Sequence, residues 1–231
     1  MQLFYAPDIR EIAELPEDEA RHAIRVLRLT EGDTIELTDG KGFFYKAVIT
    51  HAHPKHCEIH IVEEWQPKPL GDFYLHIAVA PTKNMDRLEW FAEKATEIGI
   101  NEITCLNCRY SERKEVKTSR LEKILVSAMK QSLKATLPHL NEMTKFKEFV
   151  KQPFDGRKFI AHCEEGAKSL LKKTYQPGEN ALILIGPEGD FSPEEISLAL
   201  ENGFEPISLG NSRLRTETAA LVACHTVHVC N

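Results

Sequence analysis

The chain lacks any apolar run near the roughly 18 residues that a membrane-spanning helix requires. It also lacks internal repeats and low-complexity segments, which excludes solenoids and fibrous arrays. Positive charge is not in excess: 29 Lys and Arg face 35 Asp and Glu, a net charge of −6. That balance argues against a protein that coats nucleic acid by bulk charge. The opening residues, Met1 to Ala20, carry acids early and have neither a basic start nor an apolar stretch, so no secretory signal is expected. The 6 cysteines are then expected to be reduced thiols in a cytoplasmic protein. With 42% apolar and 28% charged residues, collagen, mucin-like stalks and wholesale disorder are excluded. A compact fold of 231 residues would bury roughly 70% of its surface, enough for a real core.

Charge is unevenly spread. Asn107 to Ala135 holds eight Lys and Arg against three acids, whereas residues 1–70 hold eight against thirteen. A nucleic-acid partner would need that patch rather than the whole surface.

Residues 1–66 read as short strands with one helical stretch. Thr34 to Leu37, Phe43 to Thr50 and Glu58 to Val62 are extended runs, and Asp39-Gly40 is a hairpin turn. Glu17 to Leu29 is predicted helical, with Ala20, Ile24 and Leu27 on one face. These signals suggest a small barrel. Two prolines and a glycine in residues 66–72 mark a linker, placed at 67–72.

From residue 73 the pattern changes. Strands are predicted at Phe73 to Ala80, Ile103 to Leu106, Phe159 to His162, Ala181 to Ile185 and Ile207 to Leu209. Helices are predicted from Met85 to Ile98 (closed by Gly99), from Ser119 to Ala135, from the Ser192-Pro193-Glu194-Glu195 opening to a stop at Asn202-Gly203, and from Thr218 to Val229. Alternating strands and helices imply an α/β domain over 73–231 with a parallel sheet.

In such sheets ligands bind beyond the carboxyl ends of strands. Three ends carry unusual residues: His162 to Gly166, Gly186 to Asp190, and Gly210 to Thr218. The second has neither a P-loop lysine nor G-x-G-x-x-G, which argues against a nucleotide-phosphate site. Ser192-x-x-Glu195 reads as a capping box, so Glu195 is assigned to structure. Glu188 lies on a loop where no packing role is expected for a carboxylate. Arg213, Arg215 and Glu217 are open to two readings, a solvated loop or a guanidinium presented to a ligand.

No metal site is expected. Cys105-x-x-Cys108 has no second pair at zinc-ribbon distance. His51, His53 and His56 read as a solvated turn, and Cys224 and His228 as parts of a packed helix.

Taken in order, these motifs resemble one family, the RsmE-type methyltransferases of the SPOUT superfamily, which methylate N3 of a uridine in 16S ribosomal RNA. The resemblance rests on Arg21 to Leu29 with Gly32-Asp33, and on Lys83, Asp86-Arg87 and Lys94 to Gly99. It continues through Ser111-Glu112-Arg113, Gln131-Ser132 and Pro138 to Ile185 to Gly189 with Phe191-Ser192, and to Leu209-Gly210 with Leu214 to Ala219. It implies a PUA-like RNA-binding β-barrel over 1–66 and a SPOUT domain with a C-terminal trefoil knot over 73–231. It also implies a homodimer, S-adenosylmethionine as cofactor, and 16S rRNA, within the assembled small subunit, as partner. Cofactor contacts would fall on His162, Gly186, Pro187, Glu188, Gly189, Leu209, Gly210, Leu214, Thr216 and Ala219. Arg215 would stabilise the uracil, and Glu217 or Glu188 would accept its proton. Arg21, Arg25, Arg28, Arg109, Arg113 and Lys134 would meet RNA phosphates. The chain departs from the family at Asp190, where glycine is usual, at Leu133-Lys134, where Gly-Arg is usual, and at Arg213, where a hydrophobic residue is common. A SPOUT enzyme acting on tRNA and a non-catalytic ribosome-assembly factor remain the alternatives.

Overall fold

The computed structural model describes residues 2–68 and 71–231. Pro69 and Leu70, inside the expected linker at 67–72, lie outside the described residues. The chain divides into two units, Met1–Pro69 with Val126–Leu137, and Leu70–Leu125 with Pro138–Asn231.

The first unit holds β1 (Leu3–Tyr5), α1 (Glu17–Arg21), β2 (Thr34–Thr38), β3 (Phe44–His51) and β4 (Glu58–Trp65). Among the described residues these strands form one sheet in the order β1-β2-β3-β4. β1 runs parallel to β2, and the other pairings are antiparallel. The predicted Asp39-Gly40 turn is built by its own side chain. Asp39 Oδ1 accepts from the Lys41 and Phe43 N–H groups, and Oδ2 accepts from the Tyr45 hydroxyl. Phe4, Leu15, Leu37, Tyr45 and Ile49 are buried beneath the sheet.

The predicted helix over residues 17–29 is different in kind. α1 ends at Arg21 and a π-helical turn, His22–Val26, follows. The wider turn rotates the apolar face, so Leu27 is 38% exposed rather than inward. Arg28 then takes a left-handed backbone with φ 58°.

The second unit contains β5 (Leu75–Val79), α2 (Met85–Ile98), β6 (Glu102–Asn107), β7 (His139–Lys145), α4 (Phe146–Phe149), β8 (Arg157–Ala161), β9 (Ser169–Leu170), α5 (Leu171–Thr174), β10 (Ala181–Ile185), α6 (Pro193–Glu201), β11 (Glu205–Ser208) and α7 (Thr216–Cys230). The helix α3 (Thr118–Gln131) begins in this unit, and its last turns fall among the residues grouped with the first. α3 stops four residues short of the predicted end at Ala135, because Leu133 at φ 53° breaks the helical backbone.

The sheet is parallel throughout, in the order β7-β6-β5-β10-β8-β11-β9. β10 lies between β5 and β8, with Ile183 in register with Ile77 and Phe159. Every residue of β5 and β10 is buried, as strands covered on both faces require. α7 packs against α2 and over β5 and β10. Ala78, Leu106, Phe146, Phe149, Ile160, Leu184 and Phe191 belong to one core cluster.

Candidate functional site

Parallel strands deliver their carboxyl ends to one edge of the sheet, and the helix that follows starts there. β8 ends at Ala161, β10 at Ile185, and α7 begins at Thr216. Between them lies a cavity of about 320 Å³, within the range of small-molecule sites. Gly186, Pro187 and Glu188 line it from the loop after β10, and Leu214, Arg215, Thr216 and Ala219 from the start of α7. Ala161, Cys163, Ile185, Asp190 and Arg213 complete its walls. His162, Gly189, Leu209 and Gly210 stand beside the cavity in sequence without lining it.

Three hydrogen bonds tie the loop after β10 to its neighbours. The Thr216 hydroxyl donates to the Gly186 carbonyl at 3.0 Å, joining α7 to the strand end. The Lys83 N–H donates to Glu188 Oε1 at 2.9 Å, joining the loop after β5. The Cys163 N–H donates to Asp190 Oδ2 at 2.6 Å, joining the loop after β8. Glu188 therefore does have a structural contact, contrary to the expectation for a loop carboxylate. That contact spans 105 positions of chain and leaves no local signature.

Gly186 is required by close approach. A Cβ there would meet the Phe191 ring at 3.1 Å. Gly189 is crowded in the same way by Tyr110, at 3.2 Å.

Glu217 is nearly buried at 8% exposure and does not line the cavity. Its Oε1 lies 3.9 Å from Arg87 Nε on α2, and its Oε2 is buried without a hydrogen-bond partner among the described residues. His162 Nδ1 is likewise buried without one. Burial and the nearby Lys168 hold the His162 imidazole below its usual range. The Cys163 thiol is pushed up by burial and by Asp190, and pulled down by Arg213.

The expected RNA-contacting residues differ in their engagement. Arg21 pairs with Glu17 and Asp18, and Arg109 with Glu194. Arg113 donates to the Thr82 and Lys83 carbonyls. Among the described residues, Arg25 and Arg28 form no side-chain hydrogen bond or ion pair, and both are exposed. Lys134 is partly buried, which lowers its ammonium pKa. Glu195 completes the capping box with Ser192 and also accepts from the Arg109 N–H at 2.8 Å, a role outside local reach.

Cys105 and Cys108 are buried, and burial pushes the Cys105 thiol up to about 12. His51, His53 and His56 stack at an exposed turn.

Comparison with known proteins places this geometry. Residues 69–228 match the model of the RNA methyltransferase domain, and residues 15–62 that of the RNA methyltransferase PUA domain. The chain is 29% identical over 219 residues to a protein of Rickettsia conorii named Ribosomal RNA small subunit methyltransferase E, covering 94% of this chain and 89% of that one. A solved structure described as a probable rRNA-methyltransferase from Porphyromonas gingivalis is 45% identical with a TM-score of 0.93, covering 100% and 99% of the two chains. A Ribosomal RNA small subunit methyltransferase E from Neisseria gonorrhoeae, solved bound to S-adenosyl methionine, is 27% identical with a TM-score of 0.88, covering 99% and 97%.

Proposed function

Because the chain belongs to the RNA methyltransferase family, we propose that it transfers the methyl group of S-adenosylmethionine to N3 of a uridine in 16S ribosomal RNA. The observation that carries the reading is the cavity between β8, β10 and the start of α7, walled by the loop after β10 and the residues that open α7. Its volume and its mixture of glycine, apolar and charged walls fit a small molecule with both apolar and ionic parts. Gly186, Pro187, Leu214, Thr216 and Ala219 would hold that cofactor, with His162, Gly189, Leu209 and Gly210 shaping the loops behind them. When bound, S-adenosylmethionine supplies an electrophilic methyl group.

The rest of the work belongs to the chain. Uridine N3 carries a proton and is a poor nucleophile while it keeps it. Arg215, in the cavity wall, is placed to orient the uracil and to offset the negative charge that grows on its ring as the proton leaves. Of the two candidate carboxylates, Glu188 lines the cavity and keeps Oε2 for the N3 proton, while Oε1 is held by Lys83. Glu217 sits outside the cavity walls and faces Arg87, so its part is to fix the start of α7. The target base must leave its stack to reach such a cavity.

The wider assignment follows the same reading. Residues 1–66 form the RNA-holding PUA-like barrel, 67–72 the linker and 73–231 the SPOUT domain, with a trefoil knot in its last strands and α7. Two copies form a homodimer through the SPOUT domain, working in the cytoplasm on the assembled small subunit. Arg21, Arg25, Arg28, Arg109, Arg113 and Lys134 contact phosphates, so affinity for RNA should fall as salt rises.

The test is methyl transfer from labelled S-adenosylmethionine to small ribosomal subunits from cells lacking this protein, followed by nucleoside analysis. Label in N3-methyluridine establishes the reading. Label in another nucleoside moves the substrate. Absence of both label and cofactor binding favours an assembly factor.

A further inference from the structure

Asp190 combines a strained backbone with a fully used carboxylate. Its φ of 64° lies in the left-handed region, where a side chain is disfavoured and glycine is the default. Such an outlier persists only where surrounding contacts hold it. Here the contacts are visible. Oδ2 accepts the Cys163 N–H at 2.6 Å, across 27 positions of chain, and Oδ1 accepts the Phe191 N–H at 2.8 Å. Both are charge-assisted bonds from backbone donors. Arg28, also at positive φ, forms no side-chain hydrogen bond among the described residues.

The place of this residue gives the contacts a purpose. Asp190, Cys163 and Arg213 share one part of the cavity wall, and the Cys163 thiol feels both charges. The loop after β10 is tied to α7 by Thr216 and to the loop after β5 by Lys83. Asp190 supplies the tie to the loop after β8. A loop that must be ordered by its ligand spends conformational entropy at the moment of binding, whereas a loop already ordered does not.

We propose that Asp190 is a positioning residue that pre-orders the methyl-donor cavity by clasping the loop after β8 to the loop after β10 through its carboxylate. The proposal rests on the reading of this cavity as the S-adenosylmethionine site.

Three variants of the full chain test it: Asp190→Gly, which relieves the backbone but loses both bonds, Asp190→Ala, which keeps the strain, and Asp190→Asn, which keeps one acceptor oxygen. Amide hydrogen exchange at Cys163 and Phe191 is measured without ligand, and S-adenosylmethionine binding by calorimetry. In D190G both amides should exchange at least about tenfold faster, and the cofactor Kd should rise about tenfold as the cavity loses its pre-ordering. D190N should recover part of both effects. D190A should match D190G in affinity but melt lower, because it retains the strain. In turnover the loss should fall on KM for the cofactor more than on kcat.

Unchanged amide exchange in D190G would overturn the clasp. Faster exchange with an unchanged Kd would overturn its role in pre-ordering the cavity. If the wild-type chain bound no S-adenosylmethionine while D190G still released the Cys163 amide, the cofactor reading would fall. The positioning role would fall with it, and only a structural tie would be left.

Discussion

The two ends of the parallel sheet use polar residues in opposite ways. At the amino ends of β5, β6 and β7 they are spent on one another. The Asn141 amide donates to Glu102 Oε1 and to the Thr104 hydroxyl, and the Tyr74 hydroxyl donates to Glu102 Oε2. His76 Nε2 lies 2.8 Å from the Thr104 hydroxyl and Nδ1 lies 3.4 Å from Glu102. With Asn141 donating to Thr104, the Thr104 hydroxyl donates to Nε2, and the proton of the neutral imidazole stays on Nδ1 toward Glu102. At the carboxyl ends of β8 and β10 the accounting is left open. Among the described residues His162 Nδ1 is buried there without a partner, Asp190 is strained, and arginines line a cavity. The lesson is physical. A closed network contributes stability, because every buried group has its partner. At the other end only part of the polar set is paired within the chain: Asp190 uses both oxygens, whereas His162 Nδ1 finds no partner among the described residues.

The largest effect that would break this comparison is expected at the open end. Glu188→Gln should lower kcat by about 100-fold or more in the methyl-transfer assay, the usual contribution of a positioned base. It should shift the melting temperature little, since a glutamine oxygen can still accept from Lys83. A normal rate in E188Q with a collapsed rate in E217Q would transfer the proton to Glu217.

The closed end should answer in stability instead. Glu102→Ala strips Tyr74, Asn141 and His76 of one partner and should cost about 3 kcal/mol in urea unfolding, with the rate per folded molecule unchanged. A loss of turnover out of proportion to folding would erase the distinction between the two ends.

Acid sharpens it. Burial pushes the His76 imidazole down to about 4, against the pull of Glu102, from the ordinary value of 6.5. Between those values the unfolded chain binds a proton that the folded chain refuses. Stability is therefore whole above pH 6.5 and declines as pH falls toward 4, by at most about 3 kcal/mol from this group. Denaturant titrations across that window should show the slope, and His76→Phe should flatten it.

The smallest effect concerns the backbone of the cavity. Gly186→Ala places a methyl 3.1 Å from the Phe191 ring, so the ring must yield slightly. A cost of about 1 kcal/mol is expected by thermal unfolding, with a few-fold weaker cofactor binding by calorimetry.

Much of the second unit was legible because its signals are local. Ser192 and Glu195 stand three residues apart, and both halves of their capping box form, with bonds at 3.3 and 2.9 Å. Ala181 to Ile185 could be read as a central strand because β10 is buried from end to end. β7 escaped notice. Its residues, His139 to Lys145, are polar and partly exposed without clean alternation, and pairing with β6 is what makes them a strand. The π-helical turn escaped too, because 3.6-residue periodicity cannot announce a wider turn, here closed by the Leu27 N–H on the His22 carbonyl.

The strand–helix alternation, the capping box, the hairpin turn at Asp39, and the glycine and arginine loops that carry the resemblance are written in local sequence. These depend on neighbours within a few residues, where spacing alone sets which groups can meet. That Glu188 holds Lys83, that Glu217 turns to Arg87 rather than the cavity, and that Asp190 joins Cys163 follows from the folded arrangement alone. Those contacts span 105, 130 and 27 positions. A side chain's reach of a few ångströms acquires such partners only after the sheet has brought the strand ends together.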